Sequence, residues 1–170
     1  MKEISLTQGK IALVDDADFE ILSQYKWQAR KVRGKFYAGR GEYLGKINGK
    51  YKIVCIHMHR EILGVSDINI QVDHINGYGL DNRRENLRLA SPSQNRRNLN
   101  GLKSNNSSGF RGVIKRKDKK NDKIWRARIS GPDGKRKNLG QFKSPEEAAI
   151  SFDGAAKELY GEFCGKLNFE

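Results

Sequence analysis

The stretch VDHINGYGLDNRRENLRLASPSQNRRN, Val72 to Asn98, decides how this chain is read. Asp73 and His74 close a run with strand character, Asn69 to His74. A loop rich in Gly, Asp and Asn follows, and Asn86 to Leu89 forms a second short strand candidate. Ser91-Pro92-Ser93-Gln94 then sets Ser at N-cap, Pro at N1 and Gln at N3, a capping box that opens a helix and puts Asn95 near its first turn. Phosphodiester hydrolysis needs a water to lose a proton, the developing negative charge to be neutralised, and the leaving oxygen to be stabilised. A neutral imidazole, with an ordinary pKa of about 6.5, suits the first task. The chain has three histidines, His57, His59 and His74, so the choice of base is narrow. Asp73 and Asn95 offer hard oxygen donors of the kind that hold Mg2+ or Mn2+, and such an ion supplies the second and third tasks. His74 is therefore the expected base, facing a water, with Asp73 and Asn95 as metal ligands.

The bulk of the sequence agrees with a polyanionic substrate. Lys and Arg number 33 against 20 acids in 170 residues, a net charge of +13, with a pI near 9.8. Residues 1–100 carry a net +6, residues 101–143 a net +11 and residues 144–170 a net −4. A basic segment followed by an acidic one describes a domain with a phosphate-seeking face and a helix turned away from it. No apolar run reaches the roughly 18 residues of a membrane span, and the N-terminus lacks the features of a secretion signal. Cys55 and Cys164 make no disulfide framework, so a reducing compartment is expected. Arg83, Arg84, Arg88, Arg96 and Arg97 surround the motif and are expected to contact phosphates, although a solvated polar face is the alternative for any one of them. Cys55, His57 and His59 alternate as if on one strand face. Zinc would need a fourth ligand, so packing or phosphate contact is expected for them instead.

The chain divides at NLNGLKSNNSSG, which is rich in Asn, Ser and Gly and marks a flexible connection. Expected boundaries are 1–98 for a nuclease domain, 99–108 for the linker and 109–170 for a smaller domain. In the first domain, Ile11–Val14, Lys35–Ala38 and Tyr51–Ile56 read as strands, and Asp16 to Trp27 as a short helix. In the second, Trp125-Arg126-Ala127-Arg128-Ile129 alternates, with Arg126 and Arg128 on one face. Phe110–Lys117 and Arg136–Phe142 flank it as strands, and Pro132-Asp133-Gly134 supplies a turn. Ser144-Pro145-Glu146-Glu147 caps a helix whose apolar residues recur to Tyr160, with Gly161 suited to end it. The expected class is α+β, with a three-stranded antiparallel sheet packed on one helix in the second half.

Val72-Asp73-His74-Ile75-Asn76-Gly77, Leu80-Asp81-Asn82-Arg83, Asn86-Leu87-Arg88 and Gln94-Asn95-Arg96-Arg97-Asn98 together resemble the HNH nucleases, particularly their homing branch. Met58-His59-Arg60 ahead of the motif resembles that branch too. The resemblance implies a fold of two strands and a helix around a metal (ββα-metal), here with additional strands. It also implies Asp73 and Asn95 as ligands, His74 as base, and Asn86 as the catalytic residue that orients the histidine or its loop.

Gly109-Phe110-Arg111-Gly112-Val113, Trp125 to Ile129, Leu139-Gly140-Gln141-Phe142, Glu146 to Ala149 and Leu167-Asn168-Phe169 resemble the APETALA2/ethylene-response-factor DNA-binding domain. That likeness implies a sheet lying in the major groove, with Arg111, Arg116 and Arg136 at contact positions. Lys115, Arg126, Arg128 and Lys137 complete the expected DNA-binding set.

The expected protein is a site-specific DNA endonuclease acting on double-stranded DNA with Mg2+ or Mn2+, without a small-molecule substrate or a membrane partner. It is expected to be a monomer, with a dimer as the alternative, inside a bacterial cell and encoded by a phage or a bacterium. A sequence-specific DNA-binding regulator with a non-cleaving nuclease scaffold is the rival reading.

Overall fold

The computed structural model describes residues 1–97, 102, 106–116 and 124–169, with Ile47 by its backbone alone. Asn98, Lys117 and most of the expected linker lie outside the described residues. The chain forms two compact units, Met1–Pro92 and Ser93–Glu170. The class is mixed α+β, with four small antiparallel sheets among the described residues.

In the first unit β1 (Lys2–Ser5) pairs with β2 (Ile11–Val14), and α1 (Asp16–Leu22) follows. β2 has the expected bounds. Ala12 and Val14 are fully buried while Ile11 is exposed, as the two-residue period of a half-buried strand requires. The helix expected to run to Trp27 stops at Leu22, because Trp27 folds back. Its indole Nε1 donates to the Leu22 carbonyl at 2.8 Å, which also accepts the Tyr25 amide at 3.2 Å, so the helix end is satisfied without a further turn.

β3 (Gln28–Val32), β4 (Lys35–Ile47) and β5 (Lys50–His57) form the second sheet, in the order β3-β4-β5. β5 ends at His57 and a short helix, α2 (Met58–Ile62), begins directly after it. The expected alternation of Cys55, His57 and His59 on one strand face is thereby corrected, since His59 stands on a helix. Met58 turns fully into the core, and the change of period from two to 3.6 happens at that residue. β6 (Gln71–His74) and β7 (Leu87–Ala90) pair antiparallel, with Asp73 opposite Arg88 and His74 opposite Leu87. Asn86, expected at the start of the second strand, instead ends a 3-10 turn, Arg84–Asn86.

α3 (Pro92–Arg97) begins at the last residue of the first unit, and the second unit then forms a sheet of β8 (Val113–Lys115), β9 (Trp125–Ser130) and β10 (Arg136–Phe142). β9 is central, both neighbours run antiparallel to it, and α4 (Pro145–Tyr160) packs on all three strands. The Ser144 side chain accepts the Glu147 amide at 3.1 Å and the Glu147 carboxylate accepts the Lys143 amide, so this helix starts where the capping signal predicts. Val113, Ala127 and Ile129 face Ala148, Ala149, Phe152 and Ala156 in the core. Gly112, at φ +78, lets the Phe152 ring approach where any Cβ would lie 2.0 Å from it. β8 is shorter than the expected Phe110–Lys117, of which Lys117 lies outside the described residues.

Candidate active site

β2 is the base on which the site is built. Its Leu13 amide donates to the Leu80 carbonyl and its carbonyl accepts the Asn82 amide, both at 2.8 Å. The loop after β6 is thus held as if it were a neighbouring strand. Arg84 fastens the far end of the loop to α1, with Nε and Nη2 donating to the two carboxylate oxygens of Asp18 at 2.8 and 2.7 Å. Asn82, fully buried, then sits under His74. Its Nδ2 donates to the Leu80 carbonyl at 3.2 Å, which fixes the amide so that Oδ1 lies 3.3 Å from Nε2 of His74. A carbonyl oxygen only accepts, so Nε2 carries the hydrogen and Nδ1 is the basic nitrogen.

Asn86 performs a different task in the same loop. Its Oδ1 accepts the Asn76 amide at 3.0 Å, and its Nδ2 donates to Asn76 Oδ1 and the Asp81 carbonyl at 3.1 and 2.8 Å. Being outside the strand frees this side chain to pin the loop that leaves His74. Asn82, which sequence reasoning left without a role, is the residue on the imidazole.

His74 is walled by aromatic rings. Tyr37 of β4 lies 5.8 Å away between centroids, and His59 of α2 lies 5.0 Å away, edge to face. His57 stacks on His59 at 5.3 Å. Gly79 admits Tyr37 to this position, since a Cβ there would meet the Phe36 carbonyl at 2.5 Å and the Tyr37 ring at 2.6 Å. The sequence carried no sign of Tyr37, whose partner lies far away along the chain. Asp73 and His74 are only 4% and 5% exposed. The expectation of an imidazole open to water is therefore corrected: loop, helix and strand enclose it to a narrow edge. Burial lowers the His74 pKa below its ordinary value, while the Asn82 hydrogen bond and the charges of Asp73 and Asp81 act the other way. Burial also drives His59 down to about 3. Both rings are neutral near pH 7.

Of the five motif arginines, Arg83, Arg84 and Arg88 are ion-paired within the protein. Arg83 pairs with Asp81 at 2.8 Å and Glu85 at 2.6 Å, Arg84 with Asp18, and Arg88 with Asp73 at 2.8 Å. Of the other two, Arg97 donates to Ser93 Oγ and lies over the Tyr160 ring in the second unit, and Arg96 is exposed on α3. Asn95 is half-buried on α3, in the second unit. Among the described residues no three His, Cys, Asp or Glu side chains gather as a metal cage. Asp73, a hard carboxylate held rigid beside His74, fits a magnesium-like ion better than zinc, which prefers nitrogen and sulfur.

In the second unit the register separates the expected DNA-contact residues. Ile114 is opposite Arg126, Asn138 is opposite Arg128 and Arg136 is opposite Ser130, which sets Arg126, Arg128 and Arg136 on the face away from α4. Arg116 bonds Gln141, the partner of Arg126. Lys115 and Lys137 pair with Trp125 and Ile129 and belong to the helix side. The Arg111 guanidinium donates to the carbonyls of Cys164, Lys166 and Arg97, so it ties the end of the chain to the sheet.

No helix among the described residues is long and apolar enough to cross a membrane. A family model described as HNH endonuclease matches residues 56–97, the span from the end of β5 to α3. A protein of Acanthamoeba polyphaga mimivirus, named as an uncharacterized HNH endonuclease, is 30% identical over 169 residues, 95% of this chain and 78% of its own length. Protein 3.8 of Escherichia phage T7 is 34% identical over 92 residues, 54% of this chain and 71% of its own. With the histidine, its asparagine support and the matched span coinciding on one loop, this chain belongs to the HNH endonuclease family.

Proposed function

We propose that this protein is a site-specific DNA endonuclease of the homing type, with His74 as general base. The observation that carries this reading is the Asn82–His74 hydrogen bond beside Asp73, which assigns the ring hydrogen to Nε2 and makes Nδ1 the basic nitrogen. A neutral, fixed imidazole takes a proton from water without first losing one of its own. Tyr37 and His59 restrict its rotation and exclude bulk solvent, which strengthens every charge interaction at the site. Asp73 is the proposed carboxylate ligand for Mg2+ or Mn2+, and Asn95 is the second ligand that the family resemblance implies. Such an ion would stabilise the charge on the phosphate and the leaving oxygen. Asn86 serves as the positioning residue that holds the loop.

The second unit is proposed as the targeting domain, of the APETALA2 type by resemblance, lying in the major groove by the face that bears Arg126, Arg128 and Arg136. A three-stranded sheet fits a groove about 12 Å wide, and Arg matches the two acceptors of guanine. The enclosure of His74 favours one alternative, a DNA-binding regulator that keeps the nuclease scaffold without cutting. Incubation of duplex DNA with Mg2+ or Mn2+, with and without chelator, decides between them. Metal-dependent cleavage that His74→Ala abolishes, with DNA binding retained, supports the endonuclease. Binding without cleavage in either metal supports the regulator.

A further inference from the structure

β3 covers β4 only from Lys35 to Gly39. Beyond that point β4 and β5 continue alone as a two-stranded ribbon, closed by the turn at Asn48-Gly49. Isolated two-stranded ribbons are marginally stable in water, yet this one displays a row of large side chains. Tyr43, Leu44, Tyr51 and Ile53 are 56%, 51%, 69% and 67% exposed. Tyr43 is opposite Ile53 and Lys46 opposite Tyr51, so these four share one face. The Tyr43 and Tyr51 rings are 5.7 Å apart, with the Lys46 ammonium 4.9 Å over Tyr51. Lys50 and Lys52 alternate onto the other face. The one acid of the ribbon, Glu42, is 3.6 Å from Arg40, and among the described residues none of Lys46, Lys50 and Lys52 pairs with a carboxylate.

We propose that this ribbon is a DNA-binding arm of the nuclease unit, which enters a groove of the duplex to one side of the cut. The proposal rests on the endonuclease reading for the position of the cut, and on charge for the partner. Arg83, Arg84 and Arg88 are neutralised inside the protein, so the unit needs cations elsewhere to hold a polyanion, and the ribbon lysines supply them. Exposed tyrosines and an isoleucine match the apolar edges that a groove presents, thymine methyl groups among them. A second copy of this chain fits less well, because it would set three lysines against three.

The arm is tied to the catalytic centre by its own strand. Tyr37, against His74, lies on β4, and the strand runs ten residues from there to Ile47. At about 3.3 Å per residue this is a reach of roughly 33 Å, or about ten base pairs at 3.4 Å each.

Lysine acetylation of the full-length protein, in chelator and with or without mixed-sequence duplex DNA, tests the arm. Lys46, Lys50 and Lys52 are expected to be protected severalfold by DNA. Replacing all three with Ser is expected to lower the slope of log affinity against log salt by about 2 to 3. Tyr43→Ser with Tyr51→Ser should weaken binding several-fold and leave that slope unchanged. Unaltered acetylation or an unaltered slope overturns the proposal, as does a dimer that the lysine variant dissociates while DNA affinity is kept. Cleavage in Mg2+ is scored separately. Protected lysines without cleavage sink the endonuclease reading alone, and cleavage with unprotected lysines sinks the arm alone.

Discussion

Arg88 and Asp73 face each other across β6 and β7, and the guanidinium donates from Nε and Nη2 to Oδ2 of Asp73 at 3.0 and 2.8 Å. The acid proposed to bind a cation already has one in the protein. Removal of Arg88 leaves a buried charge uncompensated, which costs about 3–5 kcal/mol. Arg88→Met should therefore melt at a lower temperature, and Mn2+ should raise its melting point more than it raises that of the parent. Equal metal-induced shifts in the two proteins would show that Asp73 is not a ligand.

Asn82→Ala removes the acceptor that fixes the His74 tautomer. The expected result is a fall in kcat of about tenfold to a hundredfold, with KM little changed. Steady-state cleavage kinetics alongside a circular dichroism spectrum separate this outcome from unfolding. An unchanged kcat in a folded variant would remove Asn82 from the site.

His59 links acidity to stability. Its folded-state pKa of about 3 lies below the ordinary 6.5, so the unfolded chain binds a proton in the window between them and the folded chain does not. Stability is then full above pH 6.5 and falls as pH drops toward 3, by on the order of a few kcal/mol. His59→Phe keeps a ring against His74 and cannot titrate, so its urea midpoint should vary less between pH 7 and 4 than that of the parent. Equal loss of stability in both proteins would assign the acid sensitivity to other groups.

Gly79→Ala and Gly112→Ala form a matched pair. Each drives a methyl group into a ring, Tyr37 in the first unit and Phe152 in the second, at an expected cost of about 1–3 kcal/mol. The first should also lower single-turnover cleavage, because Tyr37 leans on His74, whereas the second should leave that rate intact at saturating DNA. Equal effects on the cutting rate would contradict the wall described around the imidazole.

The second half of the chain was far more legible than the first. Arg136–Phe142, the Ser144 cap and the alternation at Trp125 are local signals, and each element sits where its own residues demand. In the first half, β1, β3 and α2 went unread, because Met58 and His59 have no helical neighbours long enough to set a period. The Asp73-His74 pair was visible because the two residues are adjacent and belong to a spaced motif. The partners that shape the pair, Tyr37, His59 and Asn82, were not visible as such. Their roles come from loop closure and long-range packing, which no local pattern encodes. Arginine is ambiguous for the same reason. Arg83, Arg84 and Arg88 look like phosphate ligands in one dimension and are ion-paired in three.

The backbone bonds that β2 makes to Leu80 and Asn82 bear on any attempt to move this nuclease between proteins. The span matched by the family, 56–97, omits the strand that holds the asparagine under the imidazole. A graft of that span alone would leave the Asn82 backbone amide without its Leu13 acceptor and the loop that carries Asn82 under the imidazole without its strand support. The transferable unit has to begin at the first hairpin of the chain.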